Sequence, residues 1–255
     1  EYVERVENAR TRTCYEGTLK KVEEFGGNVM FEDLTRRWLG EFEGWLRAKG
    51  LAVNSRSIHL RNVRAVLYAA MDDEVTAIPN PFRKFKVKSR KESATYPLTV
   101  EQMRALMEFE CGREAVMIAR DVFMASFYLM GINMADLYAL KRGERCRYER
   151  RKTHKMYDAA LQPEAAELAR RYEDGERMFN WWRRYATLGN FTRQVNKNLK
   201  VVGKAIGVEG LHTYHARHTW ATMARGLGVP KDVIAECLGH SSGDVTEIYA
   251  RFDTR

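Results

Sequence analysis

The sequence lacks the devices that staple or anchor a chain. Its 255 residues hold four cysteines. Cys14, Cys111, Cys146 and Cys237 stand far apart with no C-x-x-C pair. That excludes a disulfide framework and predicts reduced thiols in a cytosolic protein. No apolar run approaches the roughly 18 residues of a membrane span. The best stretch, 115–130, is broken by Arg120 and Asp121, so no membrane-spanning role is expected. No signal peptide is visible. There is no G-x-x-x-x-G-K-[ST] phosphate loop, so nucleotide hydrolysis is not expected to drive any chemistry here. Internal repeats and low-complexity tracts are also missing.

What is present is positive charge. Lys and Arg number 43 against 34 Asp and Glu, a formal net charge of +9. That excess points to a polyanion, either a nucleic acid or an anionic membrane surface. Charge clustering decides between them. A hydrophobic fraction of 45% allows ordinary globular cores, and the length allows one or two domains.

The first part reads as helical. Thr35 caps a helix through Lys49, with Gly50 past its end. Trp38, Phe42, Trp45 and Leu46 recur at helical spacing and are expected to face a core. A second helix runs from about Asn54 to Met71. Leu60, Val63, Leu67 and Ala70 form its buried stripe, while Ser57, Arg61, Arg64 and Tyr68 form a polar, basic one. Total charge makes that stripe a candidate for DNA phosphates. Pro79-Asn-Pro81 stops the helix. Arg83, Lys84, Lys86, Lys88, Arg90 and Lys91 then place six positive charges in nine residues. This segment is expected to lie along a phosphate backbone and not to pack into a core. The expected division is therefore a helical DNA-binding domain over 1–88, a basic linker end over 89–96 and a second domain over 97–255. Thr99-x-x-Gln102 opens the second domain with a capping box. Helices are expected over 113–130, 134–140, 163–172, 192–206, 215–225, 230–237 and 245–252, with one β-hairpin between 142 and 161. The fold class is mainly α with a small β element.

The chemistry concentrates near the C-terminus. Arg217-His-Thr219 is followed by Leu238-Gly-His240-Ser241, and Tyr249 stands nine residues after that histidine. Breaking a phosphodiester needs a nucleophile, charge stabilisation on the phosphoryl oxygens and a proton for the leaving oxygen. Tyr249 supplies a phenol, Arg217 a planar fork that matches phosphate oxygens, and His240 a hydrogen bond or a proton path. The ordered set resembles the active-site signature of the tyrosine recombinase, or phage integrase, family. Glu149-Arg-Arg-Lys152-Thr resembles that family's hairpin motif, in which lysine is the general acid. The resemblance gives Lys152 the role of protonating the leaving 5′ oxygen.

The pattern departs from the family in two places. Asn133, in Gly131-Ile-Asn133, stands where a first catalytic arginine is usual. Arg120 lies 13 residues upstream, roughly 20 Å along a continuous helix and beyond side-chain reach. Arg150 is two residues before Lys152, and in a strand the two would share a face. Arg150 is therefore the expected replacement. Tyr214 stands where the family often has a histidine three residues before Arg217, with His215 one position off; His218 is expected to pack within its helix. His215, His218, Cys237 and His240 have ligand-like spacing but do not read as a zinc site, because only one cysteine is near.

The resemblance implies a two-domain clamp, with a SAM-like helical module and a catalytic domain gripping double-stranded DNA. It implies a 3′-phosphotyrosyl intermediate, no metal, no cofactor and no ATP. Four copies would assemble on two DNA sites, with accessory DNA-bending or directionality factors as further partners. The variations at Asn133 and Tyr214 resemble integrases of bacterial conjugative transposons, which act in the cytoplasm. A DNA invertase, a type IB topoisomerase and a non-catalytic DNA-binding relative are the alternative readings. Integrases of conjugative transposons usually carry a further N-terminal arm-binding domain, and this chain begins at Glu1 and ends six residues after Tyr249; whether such a domain or a C-terminal tail belongs to it, or assembly is altered, the sequence leaves open.

The spacing argument predicts that Arg150→Ala abolishes DNA cleavage while Arg120→Ala does not, scored as covalent adduct on a nicked substrate. Full activity in both variants would refute the substitution.

Overall fold

The computed structural model describes residues 1–88 and 96–239. The chain divides into two compact units, Glu1–Lys91 and Glu92–Arg255, and each is described by itself.

In the first unit, α1 (Ala9–Gly26) begins at Asn8, whose side-chain oxygen accepts the N–H groups of Arg10 and Thr11. A 3₁₀ turn (Phe31–Asp33) leads into α2 (Arg36–Ala48). Thr35 caps α2 by accepting the Trp38 N–H at 3.1 Å, a contact typically contributing about 1 kcal/mol. Helix α3 spans Val53–Asp72. Leu39, Phe42 and Leu46 of α2 meet Leu60, Val63 and Leu67 of α3 in the core. The Phe25 ring of α1 closes that core at 5.4–5.7 Å from Trp38, Phe42 and Trp45. Phe42 and Leu46 are buried as expected; Trp38 and Trp45 are half-buried at the edge.

The basic segment after α3 corrects one expectation. It does pack on a core. Pro81–Lys84 form a second 3₁₀ turn, Phe82 is buried, and Phe85 and Val87 pack against the same cluster. Arg83, Lys84, Lys86 and Lys88 remain exposed. Apolar residues interleave with the cations, so one side of the segment is anchored and the other is charged.

In the second unit, α4 (Val100–Glu108) starts with the expected capping box, Thr99 and Gln102 each bonding the other's backbone. Helix α5 (Glu114–Tyr128) is the centre of the unit: Val116, Ala119, Val122, Phe123 and Ala125 are all buried. Helix α6 (Met134–Ala139) follows the Gly131 turn. Strands β1 (Arg145–Glu149) and β2 (Met156–Ala160) pair antiparallel, with Tyr148 opposite Tyr157. Then come α7 (Pro163–Arg171), the short α8 (Trp181–Arg184), α9 (Leu188–Ala205), α10 (Tyr214–Gly226) and α11 (Lys231–Leu238). Phe191, Val195, Leu199 and Val202 of α9 face the core around α5. The expected helix over 245–252 lies outside the described residues, as does nearly all of the expected linker.

Arg120 has a structural place. It pairs with buried Asp121 and donates to the Phe109 carbonyl at 2.8 Å. Asp121 also accepts from Tyr172 at 2.7 Å and Arg171 at 3.2 Å, which ties α7 to α5.

Candidate active site

Three segments of the second unit meet at one backbone oxygen. Helix α11 ends at Leu238, and Gly239 turns left-handed at φ 64°. The last carbonyls of a helix have no partner within it and carry the negative end of its dipole. Two guanidinium groups satisfy them here. Arg150 Nη1 donates to the carbonyls of Leu238 and Gly239, both at 2.7 Å. Arg217 Nη2 also donates to the Leu238 carbonyl. Both arginines are buried, at 6% and 4% exposure. The structure thus brings together two of the residues singled out from sequence, 67 positions apart in the chain.

The second arginine is further fixed by its own turn. Arg217 Nη1 donates to the Gly131 carbonyl at 2.9 Å. Gly131 has φ 71°, and a Cβ there would lie 2.8 Å from the Arg217 Cα. Glycine is required both by the backbone and by the close approach of α10. Asn133 caps the start of α6 two residues on, but its side chain makes no capping bond.

Arg150 reaches the site by a different route from the one expected. Strand β1 ends at Glu149, so Arg150 and Lys152 do not share a strand face. The Arg150 carbonyl accepts from Thr153 and His154, and its N–H bonds the Lys155 carbonyl. These bonds make a tight turn that sends the Arg150 side chain inward. Lys152 sits on that turn, exposed to solvent. The turn is held to α6 by the Arg151 N–H, which Asp136 accepts at 3.2 Å. Under Arg150, Tyr157 stacks on Tyr148 at 4.8 Å and donates to the Glu236 carbonyl at 3.3 Å. Burial pushes the Tyr157 hydroxyl up, and the charges of Arg150 and Arg217 oppose that rise. His240 and Tyr249 lie outside the described residues, as do Arg90 and Lys91.

The start of α10 separates its polar residues by depth. Tyr214 is exposed, while His215 and His218 are buried. Burial, followed by neighbouring imidazoles, pushes both histidines down to about 4. The Tyr214 ring meets His218 edge-on at 4.9 Å, so His218 packs within its helix as the sequence suggested.

Of the expected DNA-contact residues, Arg61 is exposed and Arg64 is half-exposed. Ser57 is a correction: it is 1% exposed, because its position on α3 falls on the core side. A further basic face was missed. Arg193, Lys197, Lys200 and Lys204 are all exposed on α9. Their steps of four, three and four residues put them on one side of the helix, opposite Phe191, Val195 and Leu199. No acidic residue occurs in Leu188–Ala205. The signal that finds this face is charge periodicity within a core-facing helix.

The profile described as Phage integrase family matches residues 97–255. The chain belongs to the phage integrase family. The profile described as Phage integrase SAM-like domain matches residues 1–87, which gives the family's two-domain fold. The chain is similar to "Tyrosine recombinase XerD" of Lacticaseibacillus casei, 35% identical over 104 residues. That match spans 37% of this chain and 36% of the relative. Among solved structures, the Tn1549 transposon integrase in complex with transposon right end DNA is similar at TM-score 0.76 and 16% identity, over 96% of this chain and 90% of that one. A lambda integrase tetramer bound to a Holliday junction is similar at TM-score 0.76 and 15% identity, over 98% and 74%. At these identities the family's fold is shared.

Two predictions follow from the geometry. Gly131→Ala combines a left-handed backbone with a clash at Arg217, so it is expected to cost about 1–3 kcal/mol in urea unfolding and to lower DNA cleavage more than DNA binding. Unchanged stability would show that α10 gives way easily. The buried histidines contribute to the acid behaviour. Their folded pKa lies below the unfolded value, so the unfolded chain binds more protons as pH falls. Stability is full above about 6.5 and declines towards pH 4. Thermal melts of His218→Gln should show a shallower decline over that window; an identical decline contradicts the assignment.

Proposed function

We propose that this chain cuts and rejoins DNA at specific sites through a 3′-phosphotyrosyl intermediate. The observation that carries the reading is the convergence of Arg150 and Arg217 on the Leu238 carbonyl, two residues before His240. Two buried cations on one acceptor repel each other, and a phosphoryl group placed between them relieves that repulsion. Arg150 then takes the place of the arginine absent at Asn133. The Tyr249 phenol oxygen attacks the phosphorus, and the bond to the 5′ oxygen breaks. Lys152 gives that oxygen its proton, and its place on an exposed turn lets it approach a strand from solvent. His240 hydrogen-bonds the same phosphate. A 5′ hydroxyl from a partner strand attacks the phosphotyrosine in the reverse step. The bond energy stays in the phosphotyrosine, so no ATP is consumed.

The proposed domains are a DNA-binding domain over 1–88, a linker end over 89–96 and a catalytic domain over 97–255, and the two profile matches support those limits. In this reading both domains form a clamp on double-stranded DNA. Arg61, Arg64, Arg83, Lys84, Lys86, Lys88, Arg90 and Lys91 supply phosphate contacts from the first domain and linker. The α9 face supplies them from the second. The likeness to the lambda tetramer supports assembly of four copies on two sites. The likeness to the Tn1549 integrase supports integration or excision of a mobile element, in a cytoplasmic, DNA-associated setting.

A duplex nicked beside the cleavage point traps the intermediate, because the short leaving strand diffuses away. The wild-type chain should form a covalent adduct on the correct site, and Tyr249→Phe should form none. Joining of strands from two sites should follow on un-nicked DNA. Binding without an adduct would make the chain a non-catalytic relative. Adduct formation with relaxation of supercoils but no joining would make it a topoisomerase.

A further inference from the structure

We propose that a basic pocket in the first unit, between the start of α2 and the second 3₁₀ turn, holds one phosphate of the DNA backbone and includes Arg36 as a contact not foreseen from sequence. The inference rests on the DNA-binding reading and deepens it. The pocket has a volume of roughly 420 Å³, and three cations line it: Arg36, Arg83 and Lys84. Arg36 comes from a point in the chain 47 residues before Arg83, so folding alone gathers them. All three are exposed. Among the described residues, none of the three is in an ion pair. Glu32 is the one acidic residue on the lining.

The neutral polar groups at the pocket are partly engaged. The Thr35 hydroxyl accepts the Trp38 N–H, and the Asn80 side chain accepts from Phe82 and donates to the Tyr68 hydroxyl. What remains for a ligand is mainly positive charge and N–H or O–H donors, from the cations, the Thr35 hydroxyl and the Asn80 amide. That combination suits a phosphate group, which fixes register without carrying sequence information. The wall is firm because the residues beside the cations are core: Leu34 and Phe82 are buried, and Pro81 restricts the backbone. The wall fixes the backbone from which the three cations project, and an anion in the pocket they line reduces their mutual repulsion. Lys86 and Lys88 follow Lys84 on the exposed side of the same segment and extend the path for the next phosphates.

The test is DNA binding by the whole chain, followed by fluorescence anisotropy over a salt series. Removing one phosphate contact should lower the magnitude of the slope of log K against log salt by about one, for all DNA sequences alike. Arg36→Ala is expected to do this, and Arg36→Lys to restore the slope, since a point charge suffices. Arg37→Ala is the matched control: Arg37 is its neighbour, exposed, and paired with Glu41 at 2.7 Å. It should leave the slope unchanged. An unchanged slope in Arg36→Ala, with a reduced one in Arg61→Ala, overturns the pocket and leaves the DNA reading intact. Absence of salt-dependent DNA binding by the wild-type chain overturns the reading beneath it. A defect in Arg36→Ala seen only when two copies share one duplex also overturns the pocket, because the cations would then serve an acidic surface of another copy. Thermal melts matching wild type exclude unfolding as the cause.

Discussion

The carbonyl oxygen of Leu238 accepts hydrogen bonds from two buried arginines, and the second unit is arranged around that contact. A helix end leaves acceptors unsatisfied, and burying them without donors costs about 1–3 kcal/mol each. Arg150 and Arg217 remove that cost for α11, and α11 in turn gives two like charges a reason to sit together. Gly131 lets α10 come close enough to place Arg217, and the turn after β1 sends Arg150 to the same point. Gly239 closes the arrangement, because a side chain there would strike Arg150 and Tyr157.

In the proposed reading, this contact lets the chain accommodate Asn133. A family site that has lost a cation at one position must regain positive charge from another element. The hairpin is well placed to give it, since its turn already lies against α6 through Asp136 and against α11 through Tyr157. On that proposal the charge is moved to another element while the centre it serves stays where it was. In the first unit, the same economy appears in the segment after α3. Phe82, Phe85 and Val87 hold it to the core, and the cations between them are presented to the outside.

Much of this was legible in the sequence, because the signals were local. Thr35 and the Thr99–Gln102 box mark helix starts by bonds within three residues, and Pro163 marks one by its fixed φ at the first helical position. Leu60, Val63 and Leu67 mark a buried face by spacing alone. The motif around Arg217 was readable because its residues are close together. The failures came where tertiary packing decided. Ser57 shares a nominal stripe with Arg61, yet it is buried in the packed unit while Arg61 stays exposed. Arg83 to Lys88 looked like a free tether because charge dominates its composition, while the anchoring falls to a few apolar residues between. The strand rule that points to Arg150 does not apply, since β1 ends one residue earlier. Arg150 is buried at the proposed site because a turn, not a strand, orients it.

The central claim is that Arg150 and Arg217 act on one phosphate. The most direct measurement is a crystal structure of Tyr249→Phe assembled on its uncleaved DNA site. The account predicts both guanidinium groups within hydrogen-bond distance of the non-bridging oxygens of the scissile phosphate, with Asn133 making no contact to it. A scissile phosphate held by Arg217 alone, with Arg150 still bonded only to the carbonyls of Leu238 and Gly239, would contradict it.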